Sequence, residues 1–159
     1  MSRRVLLGVL VPGLVILHFL LHLGLGLGRV APDLLTMALL LAAREVGMGP
    51  AGALGFFFGL LEDAFSMLAF GANTLALTLV GILGSRTRDL LVGDSLLFLF
   101  LYLAGGKLLR DLLYWVAAGE GVREPFLNAV LVEGTLSAAY VAALGLVLFL
   151  PFGGREALR

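Results

Sequence analysis

The sequence contains no cysteine. That excludes a disulfide framework and thiolate chemistry alike. Charge is scarce too: 14% of the residues are Asp, Glu, Lys or Arg, where soluble domains carry about a quarter. The basic residues are scattered and the formal net charge is zero, which argues against nucleic-acid binding. No polar stretch is long enough to hold a second domain. No GxSxG, P-loop or dinucleotide fingerprint occurs, and Ser66, Ser95 and Ser137 have no base at readable spacing. Neither an enzyme nor a resident cofactor or metal is expected.

What the chain does have is apolar sequence: 60% of its 159 residues are hydrophobic and the mean hydropathy is +1.07. A soluble domain of this length would expose too many leucines. The expected class is an all-α, polytopic integral membrane protein with a single membrane domain over residues 1–159. Six apolar segments are legible: Val5 to about Leu27, Asp33–Val46, Pro50–Met67, Asn73–Gly84, Ser95–Ala118 and Phe126–Leu150. The connectors GRVAPD, REVGMGP, AFGAN, SRTRDLLVGD and GEGVREP carry the helix breakers. The first segment starts charged, as a signal peptide does. Its apolar run is longer than about 20 residues and lacks a small-residue cleavage site, so it reads as a retained helix. Segments 2 and 4 reach only roughly 20 Å against a bilayer core of about 30 Å. They either cross a thinned bilayer or are short helices shielded by neighbours.

Arginine placement sets the orientation. With the N-terminus inside and six crossings, Arg3, Arg4, Arg44, Arg86, Arg88, Arg155 and Arg159 fall on the cytoplasmic side, and Arg29 and Arg123 outside. This asymmetry predicts an N-in, C-in membrane protein.

Six ionisable residues remain inside segments 3, 5 and 6: Glu62, Asp63, Lys107, Arg110, Asp111 and Glu133. A charge at the bilayer centre costs roughly 2.5–3.5 kcal/mol even on lenient scales, so these groups should face protein or water and have partners. In segment 3 the helical period places Gly52, Gly55, Gly59, Glu62, Asp63 and Ser66 within an arc of about 100°. Leu54, Phe57, Phe58, Leu61 and Phe65 take the opposite, lipid-facing side. Gly55-x-x-x-Gly59 permits close approach of another helix, whether the chain's own or a partner's. In segment 5, Lys107, Arg110, Asp111 and Tyr114 share a face, and Lys107 and Asp111 are spaced to pair. Arg110 is then available to a carboxylate elsewhere. Segment 6 carries a stripe of Ala129, Glu133, Ser137 and Tyr140.

The N-in topology puts Glu62, Asp63, Arg110, Asp111 and Glu133 in the outer half. They are expected to form a network with Arg110 and Lys107 among Asp63, Glu62, Asp111 and Glu133. Such a network can fix helix register, couple to a partner, or line an ion or substrate path. His18 and His22 stand one turn apart and supply two metal ligands at most, so a packed polar spot is the expectation. Asn73 reads as an N-cap. Tyr102, Tyr114 and Trp115 read as interface anchors.

Three features together resemble the rod shape-determining protein MreD family of bacteria. They are Ala31-Pro32-Asp33-Leu34 at the start of segment 2, the Gly52-x-x-Gly55-x-x-x-Gly59-Leu60-x-x-Asp63 run, and the Gly71-to-Gly81 block with Leu75-x-Leu77-Thr78-Leu79-Val80-Gly81. Roughly residues 30–88 carry the resemblance. It implies a non-enzymatic inner-membrane component of the cell-elongation machinery, scaffolding or regulating peptidoglycan synthesis. The direct partner would be MreC, with its single membrane helix. MreB, RodA and a class B penicillin-binding protein would be indirect partners. It also implies a fold like that of the substrate-binding components of energy-coupling-factor transporters. Asp63 occupies the family's acidic position, whereas Glu62 is an additional acid. A homodimer is a further candidate state. The alternative function is a small-molecule-binding membrane component of a transporter, which needs a cavity between helices near the outer face.

Overall fold

The computed structural model describes residues 6–25, 31–66, 69–87, 96–119 and 124–153. These form six helices, with no strand among the described residues. Helix α1 begins as a π-helical turn, Leu6–Leu10, continues as an α-helix, Val11–Phe19, and ends in a second π-helical turn, Leu20–Gly24. Pro12 explains the first irregularity: it lacks an N–H and crowds the preceding turn, which widens to accommodate it. Then follow α2 (Leu34–Ala43), α3 (Met48–Ala64), α4 (Ala72–Thr87) and α5 (Leu96–Ala117). Helix α6 opens as a π-helix, Leu127–Gly134, and continues as an α-helix, Thr135–Gly153.

The shortest helix is the centre of the bundle. Every residue of α2 is buried, and α2 touches each of the other five helices. Its sequence, LLTMALLLAA, is apolar on all sides, which suits only an enclosed helix. Segment 2 is therefore a short helix shielded by its neighbours. Leu35, Met37, Leu39 and Leu40 pack with Leu77 and Val80 of α4, Leu103 of α5 and Val141 of α6. Segment 4 is longer than its Asn73–Gly84 reading, since α4 continues to Thr87.

Two stretches, Leu7–Gly24 and Leu127–Leu148, are long and apolar enough to cross a membrane. Only 17% and 33% of them is buried, so neither is an enclosed core helix like α2. Their outward faces carry Val9, Ile16, Leu131 and Leu136, and α3 adds Phe56, Phe57 and Leu61. Apolar surface on this scale marks a membrane or protein interface. On α3 the outward side is narrower than its periodicity suggests. Leu54 and Phe58 are half-buried against the core, because α3 packs on α2 as well as on α4.

Tyr102 is another departure. It does not anchor an interface but is buried, its hydroxyl 2.9 Å from the Leu40 carbonyl and 3.2 Å from that of Gly84. Its single proton can serve one acceptor at a time, so it ties α5 to α2 and α4 in alternation. Arg44 covers the outer side of this contact, 5.9 Å from the Tyr102 ring and 5.7 Å from that of Phe98. Of the arginines counted for orientation, Arg44 follows the last turn of α2 and Arg86 lies in the last turn of α4. The other seven lie outside the described residues.

Candidate functional site

The opposite end of the bundle gathers the start of α2, the end of α3, the start of α4 and the second half of α5. Asp33 caps α2: one carboxylate oxygen accepts the Thr36 N–H at 2.9 Å and the other accepts the Thr36 hydroxyl at 2.7 Å. This N-cap geometry fixes the carboxylate while satisfying a backbone donor that the helix leaves open. The same carboxylate lies 3.5 Å from Lys107 Nζ and 3.9 Å from Arg110 Nε. Lys107 also pairs with Asp111 one turn along α5.

Arg110 is the hub. One terminal nitrogen donates to Glu62 at 2.7 Å and to Asn73 Oδ1 at 2.7 Å. The other donates to Asp111 at 3.2 Å. The guanidinium also stands 5.4 Å from the centre of the Tyr114 ring. A single side chain thereby connects α5 to α2, α3 and α4. Arginine suits this position because its planar fork holds several acceptors at once, which an ammonium cannot match. The cluster brings together Glu62, Lys107, Arg110 and Asp111 and adds Asp33, giving two cations and three carboxylates.

Asp63 is not part of that cluster, contrary to the expectation from the sequence. Its carboxylate is fully buried and takes four hydrogen bonds from the α3–α4 connection. The donors are the N–H groups of Gly71 at 2.9 Å, Asn73 at 3.1 Å and Thr74 at 2.9 Å, and the Thr74 hydroxyl at 2.6 Å. Adjacent helical residues project about 100° apart. Glu62 therefore turns to α5 while Asp63 turns to the N-terminus of α4. An anion there meets open N–H groups and the positive end of the helix dipole. Gly71 makes the approach possible: its φ of 95° is open to glycine at little steric cost.

This arrangement also corrects the reading of Asn73. Asp63 caps α4 from a distance, so the Asn73 side chain is released from capping and turns to Arg110. The prediction is that Asp63→Ala lowers stability by at least about 2 kcal/mol, since it strips acceptors from several buried donors. Asp63→Asn should retain part of the loss. Thermal unfolding of the purified variants in one detergent tests both.

The glycine face of α3 meets the chain's own α4. A Cβ at Gly55 would stand 2.2 Å from the Leu77 carbonyl oxygen, and one at Gly59 would stand 2.4 Å from Thr74 Cα. At Gly52 it would meet the Ile82 side chain at 2.8 Å. The fit is reciprocal, because a Cβ at Gly81 would lie 2.4 Å from the Ala51 carbonyl oxygen. The face left open as a packing or partner surface is thus covered internally. Ser66 is outside it: half-buried, it closes the turn after α3, its N–H donating to the Asp63 carbonyl at 3.0 Å.

Glu133 stands apart from the ion cluster. It is exposed on the π-helical part of α6 and lines a cavity of about 630 Å³ between α5 and α6. The cavity extends from buried Asp33 and Lys107 to exposed Glu133 and Tyr140, with Tyr114 and Trp115 along its wall. His18 and His22 stack with ring centres 4.1 Å apart, and His22 Nδ1 lies 3.0 Å from the His18 carbonyl. No group of three side chains able to hold a metal occurs among the described residues.

Asp33 is the cluster member that sequence reasoning missed. It looked like loop punctuation beside Pro32. The usable signal was Asp33 followed by Thr36 and an apolar run, an N-cap pattern at the same end as the other charges.

No protein-family model, curated protein or solved structure compared with the chain gives a match.

Proposed function

We propose that this chain is a non-enzymatic, multi-pass component of the bacterial inner membrane that works by association within the cell-elongation machinery, with an MreC-like single-span protein as its direct partner. The resemblance over roughly residues 30–88 supports this reading. The observation that carries it furthest is that this stretch folds as one tight unit: α2 is enclosed, Asp63 fixes the α3–α4 turn, and the glycines close α3 on α4. The family-like residues thus build a rigid body and leave the outward apolar faces of α3 to meet lipid or a partner helix.

The test is co-purification from membranes with a co-expressed MreC-like protein, followed by photo-crosslinking from Phe57 or Leu61. Crosslinks to the partner's membrane helix support the proposal. Full-length protein that folds but never co-purifies contradicts it.

A second reading, a small-molecule-binding component of a transporter, is favoured by one observation, the cavity between α5 and α6. Co-purification with a membrane ATPase module in place of the MreC-like protein would select it.

A further inference from the structure

The charges lining the α5–α6 cavity are already engaged within the protein. Lys107 contacts the carboxylates of Asp33 and Asp111, and Arg110 those of Glu62 and Asp111. Glu124 and Glu133 have partners as well. A charged ligand would have to displace one of these partners, and breaking a buried pair is costly. A neutral ligand displaces none.

What the cavity leaves open is neutral chemistry. The hydroxyls of Tyr114, Ser137 and Tyr140 line it and make no hydrogen bond among the described residues. Asp111 adds an acceptor. It takes the hydrogen bonds of Lys107 and Arg110 at Oδ1, so its charge is met while Oδ2 keeps lone pairs for an O–H donor. Gly134 leaves that oxygen uncovered from the α6 side, where a Cβ would stand 3.6 Å from it.

The helical spacing groups these features. Asp111 and Tyr114 are three residues apart on α5, and Ser137 and Tyr140 three apart on α6, so each helix turns a polar group and a ring to the same side. Aromatic surface thus stands on both walls, with Trp115 beside Tyr114 and the Tyr140 ring 53% exposed. Trp115 is held in place by its N–H, which donates to the Glu124 carbonyl at 2.9 Å, and by the Phe126 ring edge-on at 5.1 Å. The face of an aromatic ring is electron-rich. It attracts the weakly positive C–H groups on the face of a sugar ring, whose hydroxyls project from the rim. The volume of about 630 Å³ falls in the range of roughly 300–1,000 Å³ common to small-ligand sites.

We propose that this cavity binds a neutral sugar ring, its hydroxyls bonded to Asp111 Oδ2, Ser137 and Tyr140 and its C–H face packed on the aromatic walls. The sugar is either the headgroup of a glycolipid or a free saccharide. The site is the same whether the chain acts as a scaffold or as a transport component, and its test involves no partner protein.

Trp115 is the chain's single tryptophan and lines the cavity, so its fluorescence reads occupancy directly. The purified full chain, in a detergent without a sugar headgroup, is titrated with methyl glucoside, using ethylene glycol and ethanolamine as controls. In parallel, its spectrum is compared between nanodiscs of phosphatidylcholine alone and nanodiscs containing a glucosyl diacylglycerol. A saturable change with methyl glucoside establishes the site with a soluble source if Ser137→Ala and Tyr140→Ala, at unchanged melting temperature, bind at least about fivefold more weakly, as loss of one hydrogen bond predicts. A change confined to the glycolipid nanodiscs, with the same variant sensitivity, establishes the lipid source. A response to ethylene glycol or ethanolamine equal to that for methyl glucoside overturns the proposal. So does binding that both variants leave intact, or no saturable response in either arm.

Discussion

Arg110→Asp is expected to abolish accumulation of folded protein. The substitution removes the one side chain that joins α5 to α2, α3 and α4, and it places a fourth carboxylate among Asp33, Glu62 and Asp111. Removing one partner of a buried ion pair costs about 3–5 kcal/mol. Adding a like charge beside those carboxylates raises the penalty further. A stability of about 5–15 kcal/mol, typical of folded domains, leaves little margin for that. Arg110→Lys should be intermediate: the charge stays, but an ammonium cannot reach Glu62, Asn73 and Asp111 together. Glu62→Gln should cost much less, because Arg110 keeps Asn73, Asp111 and a neutral oxygen at position 62. Size-exclusion profiles and membrane levels of the three variants give the order. Near-normal levels of Arg110→Asp would contradict the ion cluster described here.

The second large effect is expected at Gly55 and Gly59. Overpacking a well-fitted contact typically costs about 1–3 kcal/mol when side chains can adjust. Here the obstacles are backbone atoms, at 2.2 Å for Gly55 and 2.4 Å for Gly59, so α3 and α4 must separate. Separation would also pull Asp63 off the N-terminus of α4. Gly59→Leu should therefore lose more than the steric term alone, and Gly55→Leu should be at least as severe. Gly105→Ala is the control: it lies within α5 with nothing near its would-be Cβ. Alanine is a better helix former by up to about 1 kcal/mol, so this variant should match or exceed the parent. Melting temperatures of the three proteins in one detergent make the comparison. Equal values for Gly59→Leu and Gly105→Ala would remove the close-packed face from the account.

The helices were legible because long apolar runs broken by glycine, proline and charge leave few other readings. The periodicity of segment 3 brought Gly52, Gly55, Gly59 and Asp63 to one side, and all four are buried there. What covers that side was not legible. A GxxxG run specifies a close approach but not whose helix approaches, and the match of Gly55 to Leu77 and of Gly81 to Ala51 depends on the register of α4. The parting of Glu62 from Asp63 has a similar origin. Neighbouring carboxylates look alike in sequence, and only the position of the α4 N-terminus assigns one to backbone donors and the other to Arg110. The roles of Asn73 and Asp33 were obscured in opposite ways. Asn73 resembled a cap but its helix is capped by Asp63, whereas Asp33 resembled loop punctuation but caps α2 and also faces Lys107 and Arg110.

The central claim is that the glycine-and-acid face of α3 organises the chain's own helices. The absence of native cysteine allows a direct test, since introduced thiols can pair only with each other. A Cβ at Gly52 would stand 2.8 Å from Ile82 Cγ1, one bond from the Ile82 Cβ and within the reach of a disulfide. The double variant Gly52→Cys/Ile82→Cys, oxidised in native membranes, should form an intramolecular crosslink: a monomer that migrates faster on a non-reducing gel and reverts with reductant. Dimers of the double variant without that monomer shift, or efficient dimerisation of Gly52→Cys alone, would show that the face meets another chain and would contradict the account.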